Sequence, residues 1–435
     1  MNIILDVPVI IKVLGSLAVF IAVHRLSKNL LVALGIGTLL LAFWSGHTIV
    51  STGMVIRETV TSPNSLFLFG IIFLVIWLSS QMEEAGLLSD LVTAVKARCS
   101  NRLAMAVLPA VIGLLPMPGG AYFSAPMVDE CDPGKNVKPI LKTNINFWFR
   151  HIWEYWWPLY PGVIKAIDPQ NFNLPLWIFI PVQLPFWAIA VGAGIVFYLR
   201  KVPLEKKPEK SETKGLLMPF LPIIVIAVVY ALVKIFIPVL GDINKYLPFV
   251  ISIVSAMTVL AILRPLAVAA WRKILFSMKT IKIWGIIFLA TIYGGFIQAQ
   301  LPSGVFLMDQ MKGELDSMGI PILLLVMALP LLSGLTTGIT VGFVGASFPI
   351  IVSLLGTQPL LSEKLSMMVL AYGCGYAGII LSPVHTCLVM TNEYFKTSLA
   401  KSIRNMLFPA FVIVASAVGF YFLIRTMGFI NTISF

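Results

Sequence analysis

The chain has 435 residues, of which 58% are hydrophobic and only 11% are Asp, Glu, Lys or Arg, less than half the charged share of an ordinary soluble domain. With a mean hydropathy of +0.94, too little polar surface exists to cover the apolar part in water, which excludes a soluble enzyme and a disordered chain alike. The formal charge of +12, from 31 basic and 19 acidic side chains, is that of a membrane protein with basic cytoplasmic loops, not of a nucleic-acid binder, because no basic run is interleaved with aromatics.

Apolar stretches fall at about 8–24, 29–45, 66–82, 143–164, 175–199, 216–238, 247–263, 283–299, 366–390 and 408–426, ten candidate bilayer spans. The first contains Lys12 and no basic leader, and reads as a retained helix. Segments 47–61 and 265–281 are moderately polar, either interfacial arms or solvated loops. Two further stretches, 101–128 and 320–356, are apolar but interrupted by Gly, Pro and Thr. In the first, the arms 103–115 and 119–128 reach only about 20 and 15 Å at 1.5 Å per residue. The arms 323–335 and 341–355 are similarly short. Against a hydrocarbon layer of about 30 Å, each stretch predicts a re-entrant hairpin; the alternative is an ordinary turn between tilted spans. The most polar run, RKVPLEKKPEKSETK at 200–214, reads as a cytoplasmic linker.

The halves on either side of that linker resemble each other. GIIFL at 70–74 recurs at 285–289; Leu108-Pro109 with Gly113 recurs as Leu329-Pro330 with Gly334; Ser124 and Pro126 recur as Ser347 and Pro349; and Pro158 pairs with Pro383. The matches are colinear, which predicts a duplication. With five crossings and one hairpin per half, the positive-inside tendency places both termini outside. The cytoplasmic loops then hold 22 Lys and Arg, against 6 in outer loops: Arg57, Lys165, Lys245, Lys312, Lys364 and Arg425. Five is odd, so the second copy is upside down. The expected fold is an all-α polytopic protein of the plasma membrane with two inverted repeats, 1–200 and 216–435, joined by a linker at 201–215. Each repeat has five transmembrane helices plus one re-entrant hairpin. Hairpin 101–128 opens from the cytoplasm and hairpin 320–356 from outside, so their tips meet near the midplane.

The tips carry candidate binding residues. In PMPGGA at 116–121, prolines stop the first arm, and Gly119 and Gly120 let backbone approach a ligand. Ser124 adds a hydroxyl one turn into the second arm, beyond its positive dipole end. In SGLTTGITVG at 333–342, Thr336, Thr337 and Thr340 offer hydroxyls beside exposed carbonyls. Carbonyls and hydroxyls suit Na⁺; N–H groups and hydroxyls suit a carboxylate; for any single Thr, interhelical bonding is the alternative.

NFWFRHIWEYWWP at 146–158 places Arg150, His151 and Glu154 inside an aromatic span, where charge is expensive. Their spacing puts Arg150 and Glu154, and His151 and Glu154, on one helix face. Either Arg150 and Glu154 neutralise each other, or Arg150 or His151 holds an anion while Glu154 carries a proton or binds Na⁺; Pro158 and Pro161 would break the helix and free carbonyls nearby. The counterpart in the second half has Gly373, Gly375 and Gly378 for close helix packing, an unwound point at Ser382-Pro383 where Ser382 is a further candidate for binding substrate or ion, and His385. His385 is either a proton shuttle or a packed hydrogen-bonding residue. Lys12 and Lys234 are explained by snorkelling. Cys99, Cys131, Cys374 and Cys387 show no CxxC or Cys/His spacing, which predicts free thiols and no structural metal. No HExxH, GxSxG or P-loop occurs, so no catalytic residue is assigned.

LLPMPGGAYFSAPMVDE (114–130), RHIWE (150–154), SGLTTGITVGFVGASFP (333–349) and GYAGIILSPVHTCLVMTNEYF (375–395) together resemble an uncharacterised archaeal and bacterial integral-membrane family of the ion transporter superfamily. Its relatives include gluconate permeases, dicarboxylate–sodium symporters and the large membrane subunits of TRAP transporters. The resemblance implies inverted repeats, hairpins at the site, and an elevator motion against a dimeric scaffold. The Ser-Asn-Thr signature of the dicarboxylate–sodium branch is absent from both tips. The expectation is a homodimeric secondary transporter of a small carboxylate-type organic anion, coupled to H⁺ or Na⁺ and needing no other cofactor. The alternatives are a cation/proton antiporter exchanging on Glu154, and a membrane-embedded enzyme or receptor.

Overall fold

The computed structural model describes residues 7–27, 29–114, 120–203, 217–244, 246–319, 321–356 and 358–427. Pro116 to Gly119 of the first tip and 204–214 of the linker lie outside these. The first half folds into α1 (Val9–Ser27), α2 (Leu30–Trp44), α3 (Ile49–Thr61), α4 (Pro63–Glu84), α5 (Leu87–Arg98), α6 (Asn101–Gly113), α7 (Ala121–Glu130), α8 (Pro139–His151), α9 (Pro161–Ala166) and α10 (Leu176–Phe197). The second half folds into α11 (Leu217–Phe236), α12 (Val239–Ile243), α13 (Leu247–Leu263), α14 (Val268–Leu275), α15 (Met278–Gln298), α16 (Leu307–Met318), α17 (Ile322–Thr337), α18 (Thr340–Ser353), α19 (Leu361–Ile380), α20 (Thr386–Phe395) and α21 (Leu399–Thr426). Apart from one isolated bridge between Gln300 and Phe306, no extended pairing occurs among the described residues.

The segments Pro63–Glu84, Leu176–Lys201, Val268–Gln298 and Leu399–Thr426 are long and apolar enough to cross a bilayer; α1, α2, α11 and α13 contribute shorter apolar helices. Two of the ten predicted spans are not continuous helices. The 143–164 stretch breaks after His151 into a 3₁₀ turn, Ile152–Tyr155, and resumes only at Pro161. The 366–390 stretch breaks between Ile380 and Thr386. Pro158, Pro161 and Pro383 lack the N–H that would carry each helix through. Such breaks survive at depth only when protein encloses them, and α8, α9 and α19 are almost wholly buried. Segments 47–61 and 265–281 hold helices, α3 and α14, rather than irregular loops; the Thr48–Ser51 capping box starts α3.

The four arms of the two interrupted stretches are α6, α7, α17 and α18, and each pair packs together as a helical hairpin. The sequence matches fall on helices in the same order in the two halves, offset by the extra short helix α12: GIIFL in α4 and α15, Pro109 and Pro330 inside α6 and α17, Pro126 and Pro349 inside α7 and α18. The packing is reciprocal. α2 lies on α15 as α13 lies on α4; α3 meets α15 as α14 meets α4; α1 meets α16 as α11 meets α5; α9 meets α18 as α20 meets α7. The largest apolar cluster joins the hairpins to α8, α10, α19 and α21, while α1–α4, α13 and α15 supply most of two others.

Glycine lets the hairpin helix α17 touch α19. A Cβ on Gly334 would lie 2.4 Å from the Gly375 carbonyl, and one on Gly378 would lie 2.3 Å from the Leu331 carbonyl. Two lysines depart from expectation. Lys12 is buried within α1 rather than snorkelling, and Lys165, expected in an outer loop, is 0% exposed. Tertiary partners supplied by the other half keep Lys165 inside: its Nζ donates to Thr291 Oγ1 of α15 at 3.1 Å.

Candidate functional site

The break after α8 is built by aromatic donors. α6 ends with carbonyls that have no partner in their own helix. Trp153 Nε1 donates to the Ala110 carbonyl at 2.6 Å, Trp157 Nε1 to the Leu114 carbonyl at 2.9 Å, and the Tyr160 hydroxyl to the Gly113 carbonyl. The aromatic run therefore ties the first hairpin to the broken segment and sets where Arg150, His151 and Glu154 point. Across the site, Ser382 Oγ donates to the Leu335 carbonyl at 2.7 Å and fastens the α19–α20 break to the second hairpin. Gly338 turns that hairpin with φ +64°, and a Cβ there would stand 2.9 Å from the backbone of His385. Only glycine fits both the angle and the space.

The two breaks meet. His151 Nε2 and His385 Nε2 are 3.0 Å apart. His151 Nδ1 lies 2.6 Å from the Phe147 carbonyl, and His385 Nδ1 lies 3.2 Å from the Ile379 carbonyl. Phe147 packs against both rings. Glu154 Oε1 is 3.9 Å from His151 Nε2, and Glu154 Oε2 accepts a hydrogen bond from Thr340 Oγ1. Arg150 Nη1 donates to Cys387 Sγ at 3.4 Å. The guanidinium lies so close to Gly120 that a Cβ there would meet Nη2 at 2.0 Å.

A cavity of about 140 Å³ is lined by Arg150, His151, Glu154, Thr340, His385 and Cys387, together with Tyr160, Gly162 and Thr386. Thr340 opens α18 and Thr386 opens α20, so two helix N-termini face it. The N–H groups of Thr340 and Val341, and of Thr386 and Cys387, have no intrahelical acceptor, while those of Gly342 and Leu388 bond back to the Ile339 and His385 carbonyls; the helix dipoles favour an anion.

Among the residues singled out by sequence, Arg150, His151, Glu154, Thr340 and His385 converge on this cavity. Gly120 abuts it through Arg150. Thr336, Thr337 and Ser124 direct their hydroxyls to carbonyls of their own helices, those of Leu332, Ser333 and Gly120. Ser382 holds the break. Gly119 lies outside the described residues. Sequence reasoning passed over Tyr160, Gly162 and Cys387. Tyr160 and Gly162 flank Pro161 just past the break. The glycine is required because a Cβ would meet Thr340 Cγ2 at 2.5 Å. Cys387 carried no local signal, because Arg150 lies 237 residues away from it.

His151, His385 and Cys387 present ligand atoms within 4.8 Å of one another. They fit a metal poorly. Two imidazole nitrogens on one tetrahedral zinc, with bonds of about 2.0–2.1 Å, stand roughly 3.3 Å apart, whereas these are at hydrogen-bond distance. Arg150 also sets a permanent cation against the sulfur.

A family model described as "Protein of unknown function (DUF401)" matches residues 10–424. The chain belongs to the DUF401 family. No curated protein matches this DUF401 chain by sequence. The crystal structure of the Alcanivorax borkumensis YdaH transporter, reported as having an unusual topology, aligns over 88% of this chain and 90% of its own, with a TM-score of 0.57 at 13% identity. A likeness at that identity is one of fold.

Proposed function

We propose that this DUF401 protein is a secondary active transporter of a small carboxylate-type organic anion, driven by H⁺ or Na⁺. The observation that carries the reading is the cavity where buried Arg150, two buried histidines and the N-termini of α18 and α20 meet at two helix breaks. Arg150 cannot lose its charge and can grip a carboxylate with two N–H bonds. That same fixed charge disfavours the cation/proton antiporter alternative. The reciprocal packing of the halves supports inverted repeats with re-entrant hairpins, and the excess of Lys and Arg in the loops assigned to the cytoplasm supports both termini outside the plasma membrane. The large cluster of hairpins, α8, α10, α19 and α21 would be the body that moves, elevator-fashion, against the rest of a homodimer. Likeness to the YdaH fold is consistent with transport.

The test is uptake of a panel of labelled carboxylates into proteoliposomes under an inward H⁺ or Na⁺ gradient. Accumulation of at least one is expected under one gradient, with loss in Arg150→Gln and loss of coupling in Glu154→Gln. Absence of gradient-driven uptake across the panel would remove the reading.

A further inference from the structure

The geometry points to the His151–His385 pair as a binding site for one coupling proton, shared between the two Nε2 atoms, so that the transported anion moves with H⁺. This rests on the transport reading only for its physiological use; the proton site stands on the hydrogen-bond count.

Three contacts surround the pair: His151 Nδ1 to the Phe147 carbonyl, His385 Nδ1 to the Ile379 carbonyl, and Nε2 to Nε2. A carbonyl oxygen only accepts, so each Nδ1 must carry hydrogen for its contact to be a bond. Two neutral imidazoles own two N–H hydrogens, and the three contacts need three. In any neutral arrangement one contact is therefore acceptor against acceptor: two lone pairs facing at 3.0 Å, or an imidazole lone pair against a carbonyl. One added proton, held as N–H···N, completes all three. No bond is broken and no redox partner is required.

The surroundings can hold the added charge. Glu154, from the turn after α8, lies 3.9 Å from His151 Nε2. Thr340 of α18 bonds the far oxygen of that carboxylate. α19 contributes the Tyr376 hydroxyl, which donates to the His151 carbonyl, and α20 contributes Cys387, held by Arg150. Arg150 of α8 is the cation that opposes protonation, and Tyr160 closes the cavity wall. A carboxylate bound at Arg150 would offset that opposition. Anion and proton then strengthen each other's binding reciprocally. Nitrogen lone pairs suit a proton rather than Na⁺, a hard cation that seeks oxygen.

The direct experiment is ¹⁵N-histidine NMR of the full-length protein in nanodiscs. An N–N coupling across the hydrogen bond, between two of the four histidines, is expected below the pH at which the pair discharges. It should vanish in His385→Gln and in His151→Gln, with melting profiles of both variants showing that the protein is folded. Absence of the coupling in folded wild-type protein at every pH would overturn the proposal. So would a stoichiometric transition metal that is lost in Cys387→Ser.

The transport arm asks for about tenfold accumulation of a carboxylate per unit of inward pH gradient, the equivalent of one proton per anion, and none in His385→Gln. Wild-type uptake that follows Na⁺ and ignores the pH gradient would overturn the coupling role. A coupling signal with no carboxylate uptake would instead sink the transport reading and leave the proton site standing.

Discussion

Two buried clusters of charge lie along one stretch of chain, and they are finished differently. Lys165 donates to Thr291 Oγ1 at 3.1 Å and Gln170 Oε1 at 3.3 Å, and stands 3.9 Å from Asp168 Oδ1. Asp168 accepts in turn from the Tyr246 hydroxyl at 2.9 Å and the Gln170 amide at 2.8 Å. Two ammonium hydrogens meet protein acceptors within 3.3 Å, a carboxylate stands at ion-pair distance to balance the charge, and the cluster stitches the loop after α9 to the start of α13 and to α15. The His151–His385–Glu154 cluster has one hydrogen too few, and it faces a cavity. Burial of charge is common to both, so burial alone does not mark a site. The mismatch between donors and acceptors, open to a space that a ligand could fill, separates binding from bracing.

The comparison can be broken by substitution. Lys165→Met leaves Asp168 without its cation and is expected to destabilise the protein by about 3 kcal/mol, seen as a lower unfolding midpoint in detergent. Unchanged melting with lost uptake would reverse the roles assigned to the two clusters. Gly120→Ala should do the opposite. Its Cβ displaces the end of a flexible guanidinium, so the midpoint barely moves, while the apparent carboxylate affinity in uptake assays falls about tenfold for a charge-assisted bond worth roughly 1.5 kcal/mol. Equal affinity in the two proteins would detach Arg150 from the anion. The smallest effect is expected for Tyr246→Phe, which takes one neutral donor from Asp168: about 1 kcal/mol of stability, with uptake kinetics as in wild type.

Much of this was legible beforehand because it is written locally. Proline and glycine at 109–120 and 330–338 limit how far each arm can run: α6 and α17 stop, and α7 and α18 start, close to where those residues fall. Pro158 and Ser382-Pro383 mark the two breaks for the same reason. Charged residues in an aromatic span flagged Arg150, His151 and Glu154. Local reading failed where the partner is remote. Lys165 looked like a loop lysine because Thr291 is 126 residues away.

Composition and the placement of helix breakers, then, were enough to determine an all-α membrane chain with two interrupted hairpins and two broken helices. Those features depend on apolar surface and on missing N–H groups, which each residue carries with it. Which charges became bracing and which faced a cavity was decided by the reciprocal packing of the halves. That packing brings His385 to His151 across 234 residues and lets a glycine at 120 make room for Arg150. Hydrogen-bond satisfaction is a property of neighbours in space, so only the folded chain could assign it.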